Sequence, residues 1–170
     1  MEKTGIFFGS TTGTTEHVAK MIAERAGVRP ADIHDVAYTE PSTVGGYDTL
    51  VLGTSTWGSG EPQADWLDFL DGLEALDLRG KRIALFGCGD ETMAETFCNG
   101  VGELYKRLKD TGAEFIGSYP ADVYHFTRSS AVGSDGVPVG LLLDQVNHLD
   151  LTPGRIDGWL LTVAAPHVMA

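Results

Sequence analysis

The sequence predicts an α/β fold: a doubly wound, five-stranded parallel sheet with helices on both faces, in a single domain over residues 1–170. Three observations predict it. Apolar runs of strand length alternate with segments of helical period, and the third run is apolar on consecutive positions, as a strand covered on both faces should be. No internal repeat, low-complexity tract or linker breaks that order.

The stretch TGIFFG is the first strand. TTEHVAKMIAERAG then places Val18, Met21, Ile22 and Ala26 on one helical face and stops at Gly27. DIHDVAY is a weaker, half-alternating second strand, and YDTLVLGTST is a strong third. ADWLDFLDGLEALD is amphipathic through Trp66, Leu67, Leu70 and Leu73, which makes Trp66 a core residue. KRIALFGCGD is the fourth strand; after it, residues 96–111 carry Phe97, Val101, Leu104, Tyr105 and Leu108 at helical spacing, closed by Gly112. AEFIGSY and VGLLLD are two pieces of one last strand, divided by the irregular stretch PADVYHFTRSSAVGSDGVPV, an unusually long loop for a compact domain. The final helix starts with Thr152 as N-cap and Pro153 at its first position, and turns Ile156, Trp159, Leu160 and Val163 inward. Five strands and about five helices complete the sandwich.

The chain has 24 acidic and 12 basic residues, a formal net charge of -12. Nucleic acid and anionic membrane surfaces would repel it, so partners should present basic surfaces, unless the charge serves solubility alone. Cys88 and Cys98 are too few for a disulfide framework and lack zinc or iron-sulfur spacing. His17, His34, His125, His148 and His167 are scattered, and no metal site is expected. No apolar stretch approaches the roughly 20 residues of a membrane span, and Met1 leads straight toward a strand; a cytoplasmic protein is expected.

In doubly wound sheets ligands bind beyond the carboxyl ends of the strands, where the strand order reverses. That selects three turns: GSTTGTTE, TSTWGSGE and GCGDETMAETF. The first sets Ser10, Thr11, Thr12, Thr14 and Thr15 around Gly13 at a helix start, where unpaired N–H groups and the helix dipole favour an anion. It is neither GxGxxG nor GxxxxGK[ST], so a phosphate monoester held by neutral donors is favoured over a dinucleotide or a nucleoside triphosphate. The plainer reading is a cluster of N-cap residues, but one would satisfy a helix and five exceed the need. Trp57 can stack on a planar ligand or cap the core, and Gly89 and Asp90 offer donors to a ring edge.

FFGSTTGTTE, YDTLVLGTSTWGSGE, DWLDFL, LFGCGD, GELYKRLKDTGA and VGLLLDQVNHLDLTPGRIDGW together resemble the flavodoxins, of the long-chain kind whose last strand is split by a loop. The resemblance covers nearly the whole chain in order. It implies a flavodoxin-like fold and one noncovalent FMN: phosphate on Ser10 through Thr15, ring beside Trp57, pyrimidine edge at Cys88, Gly89 and Asp90, ribityl chain near Ser55, Thr56 and Val146. Gly58, Ser59, Gly60, Met93 and Phe97 complete the implied contacts. It also implies a monomeric one-electron carrier, without a substrate-turnover site, between a flavodoxin- or ferredoxin-type reductase and a low-potential acceptor. An FMN-dependent NAD(P)H:quinone reductase is the rival on the same architecture.

The chain departs from the family twice. Where Gly-Asp-Gln-x-Gly-Tyr is common, GDETMAETF is a residue shorter, has Glu91 for glutamine and has no tyrosine; Met93 falls nearest the tyrosine's place, unless it belongs to the core of a rearranged loop. A methionine-ring contact contributes about 0.3–1.5 kcal/mol but covers less area, which predicts a more open flavin and weaker binding. Val146 stands where acidic residues are frequent. For the electron itself, a peptide between Gly58 and Ser59 can turn its carbonyl to N5 of a neutral semiquinone, since Gly58 tolerates positive φ. Asp90, Glu91 and Glu61 should then raise the energy of the anionic hydroquinone, a shift of the order of a hundred millivolts at about 43 mV per kcal/mol.

Overall fold

Alternation along the first strand shows how the sheet acquires two cores. In the structure, a computed structural model that describes residues 3–57 and 60–164, β1 (Thr4–Gly9) turns Phe7 to one face and Ile6 and Phe8 to the other. β3 (Thr49–Trp57) does the same with Leu50 and Leu52 against Val51. Both sets are buried, because helices cover both faces. α1 (Thr14–Ala26) and α4 (Thr152–Ala164) lie over Ile6, Phe8, Val51 and Phe86; α2 (Trp66–Glu74) and α3 (Asn99–Leu108) lie over Phe7, Leu50 and Leu52. Each large side chain so enclosed contributes about 1.5–3 kcal/mol.

The remaining strands are β2 (Ile33–Asp35), β4 (Glu61–Pro62), β5 (Arg82–Gly89), β6 (Glu114–Ile116) and β7 (Gly140–Asp144). The sheet runs β2-β1-β3-β5-β6, with every pair on that path parallel. Its order reverses between β1 and β3, so the crevice for a ligand opens beyond their carboxyl ends. The two-piece last strand is present: β6 pairs with Arg82–Ala84 and β7 continues along Leu85–Gly89. Between them Gly117, at φ 80°, turns the chain out of the sheet, and its carbonyl accepts the Trp159 indole N–H at 2.8 Å. The Ser118 hydroxyl closes the base of the long loop on the Pro138 carbonyl at 2.6 Å.

Several expectations need correction. The second strand is three residues long because the Asp35 carboxylate accepts the Ala37 N–H at 2.9 Å and turns the chain into a 3-10 helix. Only 3-10 turns join it to β3, so the described residues hold four α-helices rather than about five. On α2 the inward positions are Trp66, Phe69, Leu70 and Leu73; Leu67 is exposed. α3 starts at Asn99 rather than at residue 96, since Cys98 sits in the left-handed region at φ 54° and breaks the helical path. Thr152 has helical dihedrals, and its buried hydroxyl bonds the Gln145 side chain instead of capping α4.

Candidate functional site

The first turn reaches its helix without a side-chain cap. Gly13 occupies the N-cap position at φ 91°, and none of the neighbouring hydroxyls bonds back to the α1 N–H groups. Most of the hydroxyls are engaged elsewhere instead. Ser10 Oγ accepts the Gly13 N–H at 3.1 Å, and Thr12 and Thr14 hydroxyls lie 3.4 Å apart. Thr11, Thr12 and Gly13 are exposed, whereas the Thr15 hydroxyl is buried and makes no hydrogen bond of ordinary geometry. The helix start is therefore a set of donors without acceptors. The N-cap-cluster reading fails here.

A cleft of about 190 Å³ opens beside that turn, at the carboxyl ends of β3 and β5. Thr12 and Thr14 border it on one side; Ser55, Thr56 and Trp57 from the end of β3, Cys88 and Gly89 from the end of β5, and Asp90 and Met93 after it, form the rest with Val146. Trp57 is 43% and Met93 55% exposed, so neither belongs to the core. The Trp57 indole N–H donates to Ser55 Oγ at 2.7 Å, which fixes the ring's orientation. Thr56 Oγ1 accepts the Gly100 N–H at 3.0 Å and ties the cleft to α3. Gly60, at φ 121°, returns its N–H to the Trp57 carbonyl at 3.0 Å. Gly58 and Ser59 lie outside the described residues.

One expected contact and one expected charge near the ring are corrected. Phe97 does not border the cleft: it is 1% exposed and packs against Phe126 with ring centroids 4.7 Å apart. Glu91 does not face the cleft either, because its carboxylate is taken by His148 at 2.6 Å and by the His125 N–H at 2.8 Å. Asp90 remains at the ring-edge position. Hydrogen bonds from the Thr92 hydroxyl first, then the Thr92 N–H and Asn147, hold its carboxyl below the usual carboxylate range against the opposing effect of burial. Burial pushes the Cys88 thiol up to about 12 against the opposing effect of the neighbouring Thr15 hydroxyl, so this sulfur is a neutral part of the floor.

Sequence reasoning did not single out five residues. Thr96, within the third turn, Cys98 after it and Gln145 beside Val146 all border the cleft. Gln63, buried, joins two walls: its N–H donates to Thr54 Oγ1 at 2.9 Å and its side-chain amide to Thr11 Oγ1 at 3.1 Å. Asp144 is fully buried and accepts the N–H groups of Glu91, Val146 and Asn147 at 2.8–3.0 Å, with the Asn147 amide at 2.9 Å. The signal for it was a carboxylate ending the apolar run VGLLL.

A cleft with an uncapped helix start at one end and an exposed tryptophan beside it suits a phosphorylated planar molecule. The family model for flavodoxin matches residues 6–159. The chain belongs to the flavodoxin family. It is 45% identical to Flavodoxin 1 of Salmonella typhimurium over 166 residues, 97% of this chain and 94% of that one. Flavodoxin of Haemophilus influenzae is 39% identical over 91% of this chain and 90% of its own. Among solved structures, flavodoxin of Fusobacterium nucleatum bound to flavin mononucleotide superposes with a TM-score of 0.86 at 30% identity, covering 96% of this chain and 97% of that one. In this flavodoxin the cleft carries Met93, 55% exposed, while Glu91 turns to His148. No helix among the described residues is long and apolar enough to cross a membrane.

Proposed function

We propose that the chain is a low-potential one-electron carrier, a single domain over residues 1–170 whose cleft holds one noncovalent FMN. The observation that carries this reading is the pairing of an uncapped α1 with an exposed Trp57 across one cleft. Residues and group fit: the buried Thr15 hydroxyl, without a hydrogen bond of ordinary geometry, and the open Gly13 turn suit a phosphate, with Ser10, Thr11, Thr12 and Thr14 around it. Trp57 flanks one side of the ring and Met93 partly covers the other. Backbone N–H groups at Cys88, Gly89 and Asp90 meet the pyrimidine edge, and Ser55, Thr56 and Val146 lie along the ribityl chain. The peptide at Gly58 and Ser59 is the proposed acceptor for N5.

Bound FMN supplies the one-electron chemistry. The chain's contribution is electrostatic: Asp90 and Glu61, in a protein of net charge -12, oppose added negative charge on the ring and push that couple to low potential. Glu91, held by His148, contributes less than the sequence suggests. Flavodoxins work with redox partners; here the acidic surface favours basic patches on a reductase and on an acceptor enzyme, with association that slows as salt rises. The protein acts as a cytoplasmic monomer with no substrate-turnover site of its own. The visible spectrum of the purified chain during stepwise reduction tests the reading: a yellow protein that accepts two separated electrons supports it, and a colourless one, or rapid NADH-quinone turnover, overturns it.

A further inference from the structure

The side of the Asp90–Met93 segment that faces away from the cleft carries polar contacts that cofactor binding leaves unexplained. Glu91 Oε1 lies 2.6 Å from His148 Nε2, and its Oε2 accepts the His125 N–H at 2.8 Å. The Glu91 N–H donates to Asp144 Oδ2 at 3.0 Å, and Asn147 bridges Asp144 and Asp90 at 2.9 and 2.8 Å. Three segments distant in sequence thus meet around one carboxylate: the cleft wall, the turn after β7 and the long loop. Glu91, Asp144 and His148 place ligand atoms within 4.8 Å of one another, as a metal site would. They are not one, because the Asp144 oxygens already accept four N–H bonds and both Glu91 oxygens are engaged.

The groups facing His148 come from every element around it. Glu91 stands across the contact, Asp144 ends β7 and Asp150 follows in the 3-10 turn, all acidic. The Tyr124 ring of the long loop is 5.5 Å away, with the Arg155 guanidinium of α4 4.8 Å from that ring, and His125 offers its backbone N–H to Glu91. We propose that Glu91 and His148 are a positioning pair: protonated His148 holds Glu91, and through it the Asp90–Met93 wall, against the 144–148 turn, so the chain's grip on FMN weakens when His148 loses its proton. The inference rests on the FMN reading above.

The hydrogen bond to Glu91 first, then the charges of Glu91, Asp144 and Asp150, raise the His148 imidazole above its ordinary range against the opposing effect of desolvation. A raised imidazole contributes stability that is full below its unfolded value of about 6.5 and is lost as pH rises through the folded value. Glu91 is lowered, by the His125 N–H first and His148 second, so its share is lost only as pH falls through the depressed carboxylate value. The pair is strongest between those limits. Neutral His148 still donates one hydrogen bond, but a charge-assisted one is about twice as strong.

The test follows FMN dissociation by fluorescence quenching from about pH 6 to about pH 8.5 for the natural chain, His148→Gln and Glu91→Gln, beside an NMR titration of the unliganded imidazole. The phosphate's own ionisation is common to all three chains, so ratios are compared. The ratio of the His148→Gln dissociation constant to the natural one should fall severalfold toward one as pH rises, and Glu91→Gln should return the imidazole to its ordinary range. A ratio that stays constant, or an imidazole that titrates normally in the natural chain, overturns the pair. If no chain takes up FMN at any pH, the cofactor reading fails, and the unliganded titration decides the pair alone: raised in the natural chain and ordinary in Glu91→Gln supports it, equal values refute it.

Discussion

The turn between β1 and α1 and the segment from Asp90 to Met93 border the same cleft, yet they treat their polar groups in opposite ways. Around Gly13 a helix start has no side-chain cap, three residues are exposed and the buried Thr15 hydroxyl has no hydrogen bond of ordinary geometry. At Asp90 one carboxylate oxygen accepts from the Thr92 N–H, the Thr92 hydroxyl and Asn147, while Asp144 beneath it accepts four more N–H groups. A surface built for a ligand leaves donors open, because a donor already satisfied within the protein gains little from a new partner. A surface built to hold its shape closes them. The first turn is therefore the place for binding energy, and the second wall the place for geometry.

The largest effect should come from placing a like charge in the open turn. Thr12→Glu sets a carboxylate beside the expected phosphate, and two charges about 4 Å apart near a protein surface repel by about 4 kcal/mol. FMN affinity should fall by a factor of roughly a hundred to a thousand, while riboflavin, which lacks the phosphate, should bind almost as before. Equal losses for both ligands, measured by fluorescence titration, would remove the phosphate from this turn.

The reverse signature belongs to the closed wall. Asp144→Asn removes a buried charge that four N–H groups point at, and each hydrogen bond to a charged group contributes about 1.5–3 kcal/mol. Urea unfolding of the FMN-free chain should show a loss of roughly 2–4 kcal/mol. Thr12→Ala, by contrast, should change that stability by less than about 0.5 kcal/mol while weakening FMN. Similar stabilities for the two variants would erase the distinction between walls. Trp57→Ala should come next, since stacking a flat base on an aromatic ring contributes about 1–3 kcal/mol, a tenfold or greater rise in the dissociation constant. An unchanged constant would return Trp57 to the role of a surface residue.

What the chain reveals in one dimension follows the range of the interactions. Strands β1, β3 and β5 and the cleft-lining Thr12, Trp57, Gly89 and Met93 are legible because apolar runs and glycine-bounded turns are local patterns. The helix count failed where a single side chain redirected the backbone, at Asp35, and the inward face of α2 was misjudged by one position, Leu67 for Phe69. Glu91 was misplaced for a longer-range reason. Its partner His148 is 57 residues away, and nothing around either residue announces the contact. Phe97 failed for the same reason, because Phe126, which stacks on it, arrives from the long loop.

The smallest predicted change sharpens the contrast where the walls meet the ring. Met93 stands 55% exposed at the mouth of the cleft, on a turn whose N–H returns to the Asp90 carbonyl at 2.9 Å. That turn is held from below by Asp90, Asn147 and Asp144, so a new side chain at 93 changes the cover without moving the wall. Tyr in place of Met brings a rigid ring with two side-chain torsions before the hydroxyl, and an aromatic pair contributes about 0.5–1.5 kcal/mol beyond the area it covers. Met93→Tyr should thus tighten FMN by a factor of about three to ten and leave the unfolding of the FMN-free chain unchanged. If affinity does not improve while stability is kept, the ring does not lie under residue 93, and the outer side of the site must be sought nearer Val146, 69% exposed in the adjoining turn.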